Sequence, residues 1–339
     1  MTKKRINLAL QGGGAHGAFT WGVLDRLLDD EDIEVAAISG TSAGALNGAA
    51  FKAGWVKDGR EGARANLDWL WGRMGAVHDM RMPAWMVGAL SMPGVVSSAW
   101  EQSWPYAMTD TLSRMVSPYS YGPFYSNPLR SVVEAFEYDK VCAESAPKLC
   151  VGATNVHNGK IRVFTGTEIS TDALLASACL PTLFQAVEID GAHYWDGGYT
   201  GNPALFPLFG ADLPADILIV NINPLERAEV PRSPQDIQNR INEISFNSSL
   251  LRELRAISFA QRLLDTGHVP EGGLKRLFVH MVADDALMRE LSVSTKLTPS
   301  PYLLGQLKDA GRAAADKFLQ AHKDDIGQRG TTDLTAMFS

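Results

Sequence analysis

The sequence predicts an α/β protein, a mostly parallel central sheet with helices on both faces in three layers. Three observations carry that reading. Residues 5–11 form a short apolar run that breaks at Gly12, Gly13 and Gly14, and an amphipathic stretch follows. A second run, Ile33 to Ser39, is rich in β-branched residues, breaks into a tight turn at Gly40 to Gly44, and leads into small apolar residues from Ala45 to Ala53. Strand, glycine turn and helix repeated in this way start a parallel sheet with crossover helices. The chain has 339 residues, 45% hydrophobic and 20% charged, so it can bury a core of that size without staples.

The elements follow in order. Residues 17–29 carry Phe19, Val23, Leu24, Leu27 and Leu28 at helical spacing. Residues 60–80 predict another helix, with Ala63, Leu67, Leu70 and Trp71 on one face. From Met82 to Trp100 the chain is uncharged but broken by Pro83, Gly88, Pro93 and Gly94, which argues against a membrane-spanning helix. Five of the eight tryptophans fall between Trp69 and Trp104, and seven of the eleven methionines between Met74 and Met115. This stretch reads either as a packed cap or as an apolar lip for a greasy substrate or a membrane surface. Residues 149–156 and 160–164 read as strands, and Ala173 to Ala178 as a short helix ending before Pro181. Asp190-Gly191 predicts a hairpin turn between Val187–Ile189 and Ala192–Trp195. Ile217 to Ile222 reads as a buried strand. Residues 235–265 read as a surface helix burying Ile237, Ile241, Ile244, Leu251, Leu254 and Ile257. A strand at 276–282 and a helix from Pro301 to His322 close the chain. No linker divides it. A main domain over 5–225 and a helical extension over 226–330 packed on the same domain are expected.

The formal net charge of −7 argues against nucleic acid as the main partner, since phosphate binding needs a basic face. The opening Met-Thr-Lys-Lys-Arg runs straight into a strand, without the apolar stretch of a signal peptide. Cys142, Cys150 and Cys179 match no zinc or redox spacing and read as reduced thiols. Together these lead to the expectation of a cytoplasmic protein.

Gly40-Thr41-Ser42-Ala43-Gly44, set between strand and helix, carries the strongest chemical signal. In a nucleophile elbow the serine sits on a strained turn, the flanking glycines let strand and helix approach, and the following helix aims its dipole at a developing oxyanion. The second signal is Gly12-Gly13-Gly14-Ala15-His16-Gly17, whose backbone N–H groups suit an oxyanion hole. It also fits a dinucleotide-binding pattern. That reading, however, wants an acidic residue at the end of the second strand, where Ser39-Gly40-Thr41-Ser42 stand instead. The third signal is Asp196-Gly197-Gly198, after an aromatic strand. A serine nucleophile needs a base, usually histidine. None of the seven histidines stands in a loop of catalytic character, and an aspartate held near the hydroxyl could take the proton itself.

These three motifs in this order resemble the patatin-like phospholipase family. Ser177-Ala178-Cys179-Leu180-Pro181 with Phe184, and Tyr194, Tyr199, Asn202 and Pro203 around Asp196, extend the resemblance, which covers about residues 5 to 225. It implies a Ser–Asp dyad, with Ser42 as nucleophile and Asp196 as general base, and an oxyanion hole built from the amides of Gly12, Gly13 and Gly14. His16, Gly17, Gly40, Gly44, Gly197 and Gly198 support the motifs. His16 stands where the family usually has Arg or Lys, a change expected to make activity pH-sensitive because histidine titrates near neutrality. The implied substrate is a lipid or other long-chain ester, with no cofactor and no metal, and with peripheral membrane contact through residues 82–100. Two other readings stay open. One is a lipid-binding or regulatory module on the same fold, which would not label at Ser42 with a fluorophosphonate. The other is an α/β-hydrolase triad completed by His268 or His280.

Overall fold

The computed structural model describes residues 3–79, 117–145, 147–270, 272–291, 295–296 and 299–338. The stretch from Met82 to Trp100 lies outside the described residues.

Strand β1 (Lys4–Leu10) runs through the glycine turn into helix α1 (Gly17–Leu28). Strand β2 (Ile33–Thr41) runs through the serine turn into α2 (Ala43–Asp79), which is broken at Asp58–Gly59. Strands β3 (Lys148–Asn155) and β4 (Ile161–Thr165), helix α3 (Thr171–Ser177), and strands β5 (Val187–Ile189) and β6 (Ala192–Asp196) follow. Then come β7 (Asp216–Asn221), α4 (Pro234–Asp265), β8 (Phe278–Ala283) and α5 (Pro301–His322). Among the described residues the sheet order is β5-β6-β3-β2-β1-β7-β8, with β4 paired to β3. The pairs β3–β2, β2–β1, β1–β7 and β7–β8 are parallel, while β3–β4, β3–β6 and β5–β6 are antiparallel.

The parallel strands are buried on both faces, as crossover helices require. Ile6, Leu8 and Leu10 of β1 face a core with Phe19, Val23 and Leu24 of α1, and Ala63, Leu67, Leu70 and Trp71 of α2 join them. Ala9, Ala37, Ile217 and Ile219 face the other way, onto Leu250, Leu254 and Ile257 of α4. Asp190 (φ 51°) and Gly191 (φ 76°) both adopt the left-handed conformation, so the β5–β6 hairpin turns on the two-residue loop its sequence predicts.

One expected face is reversed. Ile237, Ile241 and Ile244 were expected to be buried, but they are 43%, 53% and 54% exposed. The inward side of this part of α4 holds Glu243, Asn247 and Leu250 instead. Polar side chains take it because β1 and β7 end here, and what they present is loop backbone that needs hydrogen-bond partners rather than apolar contact.

The 226–330 region contributes β8 to the central sheet as well as helices, and α5 lies directly on α1. A methyl group at Gly22 would overlap the Lys308 carbonyl, and one at Gly311 would overlap the Phe19 carbonyl, so the two helix backbones touch at facing glycines. Arg312 and Arg64 both bind Asp25 and Asp29, which links α5, α2 and α1.

Candidate active site

The site forms at the carboxyl ends of β1, β2 and β6, where open α/β sheets place their ligands. Ser42 has φ 54°, a left-handed backbone at a residue with a side chain. Such strain of order 1–3 kcal/mol persists only where the surroundings over-determine it. Here they do. A methyl at Gly44 would overlap the Leu10 carbonyl, and one at Gly40 would lie 2.6 Å from the Gly44 carbonyl, so strand and helix meet at contact distance. The Ser42 N–H donates to Ser177 Oγ (2.9 Å), whose own hydroxyl donates to the Gly152 carbonyl (2.6 Å). Thr41 Oγ1 anchors to the Gly201 carbonyl (2.6 Å).

Asp196 ends β6 and is 1% exposed. Its carboxylate accepts from the Gly198 N–H (2.7 Å), and the Ser42 side chain is near enough to hold its pKa down. Its backbone is fixed through the Cys179 carbonyl (2.8 Å) and the Thr154 hydroxyl (2.8 Å). Burial pushes the carboxyl up to about 7, against the pull of these two groups. Gly197 packs on the Gly152 carbonyl, and Gly198 lies under the ring of Phe246 from α4.

The glycine loop is held by a buried amide network. The Gly12 N–H donates to Asn202 Oδ1 (2.6 Å), and the Gly12 carbonyl accepts from Asn223 Nδ2 (2.9 Å). Gln11 Oε1 accepts from the N–H groups of Ile222 and Asn223 and from Asn223 Nδ2. Gln11 Nε2 donates to the Asn202 carbonyl and to Asn247 Oδ1, both at 3.2 Å. Gly12 was expected to offer its amide to an oxyanion. Asn202 occupies that amide, so Gly12 acts as an anchor, and the donors left to the loop are Gly13 and Gly14. Gly17 packs against Ala43 at the start of α2.

His16 is 1% exposed, with Nε2 2.7 Å from Thr295 Oγ1. Burial, reinforced by Lys296, lowers its pKa well below the usual histidine value, so it is neutral near pH 7 and supplies no switch there. His280 lies in β8 and bonds Asp216 (3.1 Å) and Thr331 (3.1 Å), while His268 bonds Thr266 (2.6 Å). Neither contacts Ser42 or Asp196 among the described residues.

Ser177 and Asn202 were legible as motif neighbours, although not in their anchoring roles. Gln11, Asn223, Asn247, Phe246 and Lys296 were not found. Their partners lie up to 236 residues away, and only the local cue of an amide directly before the glycines, Gln11, could have pointed to any of them.

The fold and a family-model match together place the chain in the lipid acyl hydrolase class. The chain belongs to the patatin-like phospholipase family, whose family model matches residues 8–211. Among solved structures it is similar to VipD from Legionella pneumophila, with 14% identity and a TM-score of 0.43 over 94% of this chain and 67% of that one. No curated protein matches it. No described helix is long and apolar enough to cross a membrane.

Proposed function

We propose that the protein hydrolyses lipid acyl esters through a Ser42–Asp196 dyad. The observation that carries this reading is the strained turn that presents Ser42 beside a carboxylate, Asp196, that is 1% exposed and that burial pushes up to about 7. A general base works best when its pKa is close to the working pH. Asp196 takes the Ser42 proton as Oγ attacks the ester carbonyl. The N–H groups of Gly13 and Gly14 receive the oxyanion, aided by the amide dipoles at the start of α2, and each such donor contributes about 3 kcal/mol. The alcohol leaves with the proton held by Asp196, and Ser42 is acylated. Asp196 then takes a proton from water as that water attacks the acyl carbonyl, and passes it to the departing Ser42 Oγ, which releases a fatty acid and restores the serine and the carboxylate. The other hydrogen bonds of His268 and His280 favour the dyad over a triad. A phospholipid or another long-chain ester fits this chemistry, and residues 82–100 are the proposed contact with the acyl chain or the membrane surface.

A lipidomic screen comparing the wild type with Ser42→Ala tests the reading. Fatty acid released from a lipid class by the wild type and not by the variant supports it. Equal release by both rejects it.

A further inference from the structure

The glycine loop is finished from the far end of the chain. Thr295 and Lys296 precede α5 in sequence, yet they lie over the turn between β1 and α1. A methyl at Gly14 would overlap the Lys296 carbonyl, so that carbonyl rests directly on the loop. Thr295 Oγ1 meets His16 Nε2. The Lys296 ammonium donates to Asn223 Oδ1 at 2.8 Å. This bond leaves Asn223 only one way to face, with Nδ2 toward the Gly12 carbonyl (2.9 Å) and Gln11 Oε1 (3.1 Å). The amide flip that would reverse the clamp on Gly12 is closed, because it would set Asn223 Oδ1 against that carbonyl and Nδ2 against an ammonium. His16 stands where the family usually has Arg or Lys and is neutral, so the positive charge beside the loop comes from Lys296.

We propose that Lys296 is a positioning residue for the oxyanion loop, its ammonium orienting Asn223 so that Gly12 is clamped and Gly13 and Gly14 face the reacting carbonyl. Lys296 does not touch substrate. It acts through Asn223, and as a cation near the developing negative charge. The inference rests on the dyad reading of the same site.

The ammonium titrates in a useful range. Burial lowers the Lys296 pKa to about 8, and Glu243 on α4 holds it up while Arg227 pulls it down. Glu243 is shared, binding Arg227 (2.6 Å) and Arg240 (3.2 Å). His16, whose pKa Lys296 helps to lower, is neutral over this interval. Loss of the charge should therefore appear as an alkaline limb in the rate.

The test is the pH profile of p-nitrophenyl ester hydrolysis from pH 6 to about 10 for the wild type, Lys296→Met and Lys296→Arg. The wild type should lose rate above about pH 8. Lys296→Arg, charged throughout, should keep at least half the wild-type kcat at pH 7.5 and lose the alkaline limb. Lys296→Met should lower kcat about tenfold, with KM changed less than twofold, as expected when an interaction made in the transition state is weakened. A Lys296→Met enzyme with wild-type kcat, or a Lys296→Arg profile that keeps the limb, overturns the proposal. If Lys296→Met does not fold, the Lys296→Arg profile decides alone. Turnover by Ser42→Ala equal to the wild type would instead overturn the dyad reading, so the two failures are distinguishable.

Discussion

Asp196 is a compromise between stability and chemistry. Its carboxyl is buried and its pKa raised to about 7, so the folded state favours the protonated form. The sign follows. Below the unfolded value near 4 the group is neutral in both states and burial carries no charge penalty. As pH rises through the folded value near 7 the charge must be buried, and stability is lost. In the proposed dyad, activity moves the opposite way, because only the carboxylate can take the serine proton. Ester hydrolysis should therefore rise with pH through about 7. Asp196→Asn should lose activity by at least about 1000-fold. By urea denaturation the same variant should be more stable than the wild type at pH 8, by on the order of 1–4 kcal/mol, and equal to it at pH 3.5. An Asn variant less stable at pH 8 would mean that the wild-type carboxylate is better solvated than its burial implies.

At the scale of elements, α4 does two jobs on two faces. Its inner face covers the aspartate loop, where Phe246 leaves no room for a side chain at Gly198. Gly198→Ala should destabilise the protein by about 1–3 kcal/mol and reduce turnover, and Phe246→Ala in the same chain should recover part of both. Thermal unfolding and kcat check this, and a Gly198→Ala protein indistinguishable from the wild type would contradict it. Its outer face carries Ile237, Ile241 and Ile244. Ile241→Glu should change stability by less than about 0.5 kcal/mol, whereas Leu254→Ala, fully buried, should cost about 2–5 kcal/mol. The comparison is also a lesson in legibility. The strands, the Asp190-Gly191 hairpin and the elbow follow from periodicity and turn chemistry, which act over a few residues. The face of α4 does not, because apolar spacing gives a helix its stripe without saying what lies opposite. Gln11, Asn223 and Lys296 escape for the same reason, since a polar side chain takes its meaning from a partner far away in sequence.

Across the whole molecule, the two ends of the chain are tied together. The glycine contact of α1 with α5 and the Asp25–Asp29 cluster join the region after residue 225 to the first 64 residues, and parallel β7–β8 pairing ties it to the sheet. A chain ending at residue 225 would expose one edge of β7, the outer face of α1 and half of the network that holds the glycine loop. We expect it to lack cooperative thermal unfolding and native near-ultraviolet circular dichroism, and a folded, active 1–225 fragment would count against this integration. The arrangement also explains how a motif-bearing half can be recognised from sequence while the part that completes its site cannot. The glycine motif is written in adjacent residues, and its support comes from Asn202, Asn223, Asn247 and Lys296, supplied by four separate segments.

The central claim is that Ser42 is made nucleophilic by Asp196. Fluorophosphonate labelling followed by peptide mass mapping tests it most directly. The wild type should carry the adduct on Ser42, and folded Asp196→Asn should label at least about 100-fold more slowly, in keeping with the loss of a general base. A folded wild type that stays unlabelled, or an adduct mapped to any residue other than Ser42, would contradict the account.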